Sequence, residues 1–258
     1  MQPPSASSLA GSLAGLQARL GAAASAAGRD AAAVGLVAVT KKVEIDQALA
    51  LVRLGQRDLG ENRVADLEQK AAAFSAAGAD VHWHFIGHLQ RNKARRVVAL
   101  AHTIHSVDSP RLLQAIQRHA TELGRTPGLY LQVDLTGEEA KQGFTTAELW
   151  ELLDATPDPG PCPLLGLMAM APLEDPDGGG ARRVFAAAAA MADEIAADPA
   201  RASHFGGRRP RLSMGMSRDL EQAVAAGSDW VRVGRALFSA SPPAGSATAL
   251  GDGTGGAP

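Results

Sequence analysis

Two adjacent lysines close a short apolar run near the front of the chain, LVAVTKK, Leu36 to Lys42. A run of this composition argues a buried strand, so the paired ammonium groups at its end need a reason. Side chains alternate along a strand. Val37, Val39 and Lys41 then share one face, and Lys42 falls on the other. If the valines face a core, Lys41 stands at the end of that core while Lys42 reaches solvent. A lysine in a partly dry pocket is driven toward its neutral form. A neutral amine is a nucleophile that can form a Schiff base with a carbonyl. The plainer alternative is a pair of solvated strand-end charges.

A second constellation lies far downstream. PRLSMGMSRDLEQAVAAG followed by WVRVGRALF reads as strand, Gly-containing turn, helix and strand, with the helix expected from near Ser217 to Gly227. Glycine lets a backbone approach an anion, and the N–H groups at a helix start solvate it. Ser213 and Ser217 add hydroxyl donors, and Gly234 offers another close approach. Ordinary structural roles suit the same residues: Ser217 as N-cap, Gly227 as C-cap, Gly234 as a packing residue. A Schiff-base lysine together with a phosphate cradle suits a carbonyl-bearing phosphate. Pyridoxal phosphate (PLP) fits, and so does a sugar phosphate.

The elements that must position these groups follow a repeating pattern. β-type runs fall at about 36–40, 57–61, 81–87, 102–108, 129–135, 164–170, 210–215 and 230–238, with helical patterns between them. Strands alternating with helices imply a parallel sheet, and eight is the number that closes a barrel. The 258 residues match the ~250 of a (β/α)8 fold. The expected fold is therefore α/β, a single TIM-type barrel over residues 8–240. An extra helix from Ser8 to Ala27 is read from Leu9, Leu13, Leu16 and Leu20. Residues 1–7 are expected to be mobile and 241–258 to be a disordered tail. The competing reading is an open doubly wound sheet, but no G-x-G-x-x-G follows an early strand. Barrel function gathers at the C-terminal strand ends, with phosphate held after strands seven and eight. Both constellations fall there.

Composition narrows the partners. A net charge of -2 and a pI near 6.4 give no electrostatic reason to expect nucleic acid or an anionic membrane. No apolar run reaches the ~18 residues of a membrane span. The lone Cys162, between two prolines, cannot form an internal disulfide, so a cytoplasmic location and an unreactive thiol are expected. His82, His84 and His88 of HWHFIGH have no acidic or cysteine ligand beside them in sequence, so no metal is expected. LQRNKARR reads as the solvated face of a helix, and PLEDPDGGGARR as a surface loop.

LVAVTKK, GENRVADLEQK, WHFIGHLQRNKAR, IHSVDS, LLGLMAMAP and LSMGMSRDLEQAVAAGSDWVRVGRALF together resemble the pyridoxal phosphate homeostasis proteins (YggS/PROSC family). The six motifs occur in the family's order and span most of the chain. The resemblance implies a fold like the N-terminal barrel of alanine racemase and PLP held as a Schiff base on Lys41. It implies Asn62 near the cofactor ring and Arg232 near the pyridine nitrogen. Ser213, Ser217, Gly234 and the Arg235 backbone would surround the phosphate.

An arginine cannot accept a proton. A ring nitrogen facing Arg232 would stay unprotonated, and the ring would be a weaker electron sink. Racemisation needs bases on both faces of the substrate carbon. Yet the single tyrosine, Tyr130, lies early in the fifth strand, and a Gly/Pro/Ala tail too short for a second domain follows Phe238. The expectation is a monomeric, non-catalytic PLP holder acting in intracellular PLP homeostasis, with PLP-dependent apo-enzymes as partners. A PLP-dependent racemase and a Schiff-base aldolase acting on a sugar phosphate are the alternatives.

Overall fold

Strands rich in Val, Leu and aromatic residues, each too short to stand alone, close on one another in chain order. A computed structural model describes residues 6–137, 142–155, 160–172, 175 and 177–238. The strands are β1 (Gly35–Val39), β2 (Asp58–Glu61), β3 (His82–Phe85), β4 (Thr103–Val107), β5 (Gly128–Gln132), β6 (Leu164–Met168), β7 (Arg211–Ser213) and β8 (Trp230–Val233). They form a closed parallel barrel in which β8 returns to β1 with Val37 beside Arg232. The helices outside it are α1 (Ala6–Ala26), α2 (Ile45–Arg53), α3 (Val64–Ala76), α4 (Ala94–Leu100), α5 (Pro110–Leu123), α6 (Thr146–Ala155), α7 (Gly179–Ala197), α8 (Pro199–Ser203), α9 (Leu220–Ala225) and α10 (Arg235–Phe238). The fold is the expected eight-stranded barrel with a helix in front of it.

Alternation sorts each strand between two environments. Leu36, Ala38, Leu59, Trp83, Phe85, Ile104, Leu129, Leu131, Leu212, Val231 and Val233 join the apolar layer between strands and helices. The residues between them, Val37, Val39, His84, His105, Tyr130, Ser213 and Arg232, are equally buried but lie outside that layer, in the barrel interior. The interior is therefore unusually polar for a barrel filled by side chains.

α1 packs against α9 and α10, and the four leucines that announced it are all buried. It begins at Ala6, two residues earlier than expected, and Asp30 caps the short turn that follows it. α5 carries its own boundary signals: Ser109 accepts from the Leu112 N–H, Pro110 occupies the first turn, and Gly124 ends the helix with φ 61°. Other boundaries also differ from those expected. Residues 230–238 do not form one extended run, because the strand stops at Val233 and α10 begins at Arg235. The helix expected from Ser217 starts at Leu220, since Asp219 accepts from the Met216 N–H and closes residues 216–219 into a turn of their own. Part of the expected surface loop, from Gly179 onward, is helix, with the Asp175 carboxylate accepting from the Gly180 and Ala181 N–H groups. Of residues 1–7, expected to be mobile, Ala6 and Ser7 open α1, while residues 1–5 and the expected tail, 241–258, lie outside the described residues. No helix among the described residues is long and apolar enough to cross a membrane.

Candidate functional site

β1 stops at Val39, before the lysines. Thr40 keeps the outward side of the alternation and is fully buried: its hydroxyl donates to Glu61 Oε1 at 2.6 Å and its N–H to the Gly60 carbonyl. Lys70 of α3 donates to both the Thr40 carbonyl (2.6 Å) and Glu61 Oε1 (2.5 Å). A buried ion pair thus holds the last residue before the lysines. The chain then folds back, with the Val43 N–H donating to the Thr40 carbonyl, and Lys42 takes φ 59°. No other non-glycine residue among the described ones has positive φ. Such a conformation costs a lysine on the order of 1–2 kcal/mol and persists only where its surroundings over-determine it.

Lys41 and Lys42 are both solvent-exposed. The expectation of a partly dry pocket around Lys41 is not met: the alternation does not run on to Lys41, because a turn replaces the strand. Lys41 nevertheless sits at the carboxyl mouth of the barrel.

Asn62 follows the end of β2 and is half-buried. A Cβ at Gly87 would come within 2.1 Å of the Asn62 carbonyl oxygen. Gly87 therefore lets the chain after β3 run directly against Asn62, which is why HFIG and GEN belong together.

Ser217, half-buried, lies in the 216–219 turn. Its carbonyl accepts from Arg19 of α1 at 3.0 Å, while the same guanidinium grips both carboxylate oxygens of Glu221 at 2.5 and 2.7 Å. The extra helix thus fastens the Ser217 turn to α9. Gly215 has φ 94°, and a Cβ there would lie 2.4 Å from that of Ala223. A Cβ at Gly234 would meet the Val39 carbonyl at 3.0 Å, so any larger residue would push the chain after β8 a few tenths of an ångström away from β1. Gly234 precedes α10, which Arg235 opens. Lys41, Asn62, Ser217, Gly234 and Arg235 all follow the C-terminal ends of β1, β2, β7 and β8 on one mouth.

Arg232 and Ser213 lie deeper. Arg232 is 5% exposed and donates from Nη1 to Ser213 Oγ (2.6 Å) and from Nη2 to the Ala169 carbonyl (3.2 Å). Burial pushes its pKa down to about 10, with the Asp219 carboxylate pulling the other way. It stays charged at neutral pH. The Ser213 hydroxyl is fully buried and also bonds His105 Nδ1 at 2.8 Å. It therefore does not stand among the free donors of the expected phosphate cradle, and its partner is Arg232.

Sequence reasoning missed what lies behind Ser213. His105 Nε2 meets His84 Nδ1 at 2.9 Å, and His84 Nε2 meets Asp58 Oδ1 at 3.0 Å. His105 stacks on Tyr130, with ring centroids 4.7 Å apart and planes 8° apart. Burial holds the His105 pKa well below its ordinary value, and His84 and Arg232 lower it further. Burial likewise raises the Tyr130 phenol. The acidic neighbour that the histidine-rich segment lacks in sequence is supplied across the sheet: Asp58 lies 3.0 Å from His84 and 3.3 Å from His82. No group of three or more His, Cys, Asp or Glu among the described residues is arranged around a metal site.

The other singled-out residues are structural. Burial pushes the Cys162 thiol up to about 11, as an unreactive residue requires. Arg91, Lys93, Arg95 and Arg96 of LQRNKARR are exposed as expected, with Arg96 paired to Glu68 and Arg95 to Glu122. A cleft of about 610 Å³ on the outer wall, floored by Ala71, Ala72, Ala99 and Leu100, lies against α3, α4 and α5 and shares no residue with the barrel mouth.

Residues 12–242 match the family of the alanine racemase N-terminal domain. The chain is 35% identical over 254 residues to the pyridoxal phosphate homeostasis protein of Mycobacterium tuberculosis, covering 92% of this chain and 94% of that one. It is 37% identical over 235 residues to the protein of the same description from Pseudomonas aeruginosa (91% and 96% covered). Among solved structures it is similar to PipY of Synechococcus elongatus with PLP bound, at 38% identity and a TM-score of 0.72, covering 80% of this chain and 93% of PipY. The alanine racemase of Corynebacterium glutamicum shares the fold at 15% identity and a TM-score of 0.63, covering 90% of this chain and 62% of the racemase.

Proposed function

The chain belongs to the pyridoxal phosphate homeostasis proteins, in the alanine racemase N-terminal domain family; from that premise we propose that it holds PLP as a Schiff base on Lys41 and serves PLP homeostasis without catalytic turnover. The observation that carries the reading is one barrel mouth that joins the Lys41 turn, the Ser217 turn and the Gly234 approach above a buried Arg232. When bound, PLP supplies an aldehyde that a lysine amine captures and a ring whose electron demand depends on its nitrogen.

The residues present fit such a group. Lys41 is exposed and so open to an incoming aldehyde. Asn62 borders the same mouth. Ser217, Gly234 and the Arg235 backbone suit a phosphate, in surroundings where a Cβ at Gly215 or Gly234 would intrude. The Arg232 guanidinium offers donors to a ring nitrogen and cannot give it a proton readily, which supports a weak electron sink. Ser213 steadies Arg232 from behind.

Two features speak against turnover. Tyr130, the one tyrosine, is buried against His105 inside the barrel, and its phenol is raised by that burial. It is therefore unavailable as a second base. The mouth leaves Lys41 exposed, so water has access to the reacting centre. Incubating the PLP-loaded protein with each enantiomer of alanine, followed by chiral chromatography, tests this part. The expected result is no interconversion above that of free PLP. Racemisation that disappears in Lys41→Ala would overturn the non-catalytic reading. Delivery to PLP-dependent apo-enzymes follows from the same open mouth and is tested by reactivation of an apo-transaminase with the loaded protein.

A further inference from the structure

Five side chains from five strands form a single hydrogen-bonded row through the barrel: Arg232 of β8, Ser213 of β7, His105 of β4, His84 of β3 and Asp58 of β2. Its ends have fixed roles. Arginine only donates, and an ionised carboxylate only accepts. Burial pushes the Asp58 carboxyl up, but the hydrogen bonds from His84 and His82 outweigh it and hold the group below its ordinary value, so it is ionised at neutral pH.

With one proton on each imidazole, those ends set the direction of every link. Asp58 must receive a proton from His84 Nε2–H. With one proton on its ring, at Nε2, His84 offers the Nδ1 lone pair to His105 Nε2–H. His105 is neutral, so its Nδ1 accepts from the Ser213 hydroxyl. The Ser213 oxygen in turn accepts from Arg232. All four links point one way, from the arginine to the carboxylate, and each of the three intermediate groups gives one hydrogen bond and takes one.

We propose that Ser213, His105 and His84 are positioning residues, a one-way relay that fixes the Arg232 guanidinium toward the cofactor ring and couples it to Asp58 at the opposite mouth of the barrel. The proposal rests on the PLP reading above. Asp58 is part-exposed, with 28% of its side chain accessible, whereas His84 and His105 are 3% and 0% exposed. The relay thus links a buried arginine to a carboxylate that meets solvent at the far mouth. An arginine buried in a network of unfixed tautomers would present its donors in more than one orientation. A fixed tautomer chain leaves it one.

The test has two parts with separate failures. Long-range ¹H–¹⁵N correlation spectra of the protein without cofactor, with His84→Phe and His105→Phe for assignment, report which ring nitrogen carries the proton. Nε2–H on both residues is the expected result. Nδ1–H on either would overturn the relay whether or not PLP binds. PLP titrations of wild type, His105→Phe and Asp58→Asn then follow the visible band. His105→Phe keeps a ring against Tyr130 but removes both links, and leaving the Ser213 hydroxyl and His84 Nδ1 unpaired is expected to weaken PLP binding by about 10-fold. Asp58→Asn, at the part-exposed end, is expected to alter the pH response of the band while leaving the fold intact. Unchanged affinity in His105→Phe together with an unchanged pH response in Asp58→Asn would overturn the coupling. Absence of any band in wild type would sink the PLP reading instead, and with it the ring-directed role of the relay, even with both tautomers as assigned.

Discussion

Replacing Lys70 with methionine tests the physical support of the lysine turn. Lys70 Nζ is 2.5 Å from Glu61 Oε1 and 2.6 Å from the Thr40 carbonyl, and the two side chains of the pair are 6% and 0% accessible. Glu61 Oε2 already has no hydrogen-bond partner. Lys70→Met therefore leaves an uncompensated carboxylate in the interior and frees the carbonyl that closes the Lys41–Lys42 turn. Removing one member of a buried pair costs about 3–5 kcal/mol. For a chain of this size that is a fall in melting temperature of roughly 6–20 °C. The pair itself need not be strongly stabilising, because its attraction is offset by desolvation. Lys70→Met combined with Glu61→Gln should then recover much of the loss, and urea unfolding of the four proteins of this cycle gives the coupling. The single variant should also hold PLP less firmly, since Thr40 no longer anchors the turn. A loss below about 1 kcal/mol in Lys70→Met, with no recovery in the double variant, would refute the claim that this pair is a buried support.

Other consequences follow from neighbouring contacts. Arg19→Ala should cost little stability, about 0.2–1 kcal/mol for an exposed ion pair, yet weaken phosphate-dependent PLP binding because it frees the Ser217 turn; equilibrium dialysis against PLP and pyridoxal separates the two effects. Gly215→Ala places a Cβ 2.4 Å from Ala223 at φ 94° and should destabilise by about 1–3 kcal/mol, read by urea unfolding. Stability should decline as pH falls below about 6.5, because burial holds His105 and, to a lesser degree, His102 low when folded while the unfolded chain takes up protons there. His105→Phe should flatten that slope. A further decline below about pH 4.5 is expected from carboxylates such as Asp154 and Glu148, whose bonds to Arg201 and to Thr145 hold them low in the folded state.

The barrel was legible because its signals are local. Period-two alternation, helix caps such as Ser109 and Gly124, and leucines spaced along α1 are all written within a few residues of what they specify. The motif resemblance singled out Lys41, Asn62, Ser217, Gly234 and Arg235, and the fold brings them to one mouth. The interior was not. His84 and His105 lie 21 residues apart, and His105 and Ser213 lie 108 apart, so no spacing rule connects them. The available clue was a polar residue at the inward position of otherwise apolar strands, IHSV and WHF. The Lys70–Glu61 pair escaped notice for a related reason, since a lysine on an alanine-rich helix reads as solvated until a strand end is placed beneath it. The turn at Lys42 was invisible too, because nothing in lysine itself favours φ 59°.

The most direct test of the central claim is the attachment point of the cofactor. PLP is added to wild type and to Lys41→Ala, the visible spectrum is recorded, and borohydride reduction followed by peptide mass spectrometry locates the label. A Schiff base on Lys41 predicts a visible band in wild type, its loss in Lys41→Ala, and a reduced pyridoxyl label on Lys41. A band that persists in Lys41→Ala with the label on Lys42, or no band in either protein, would contradict it.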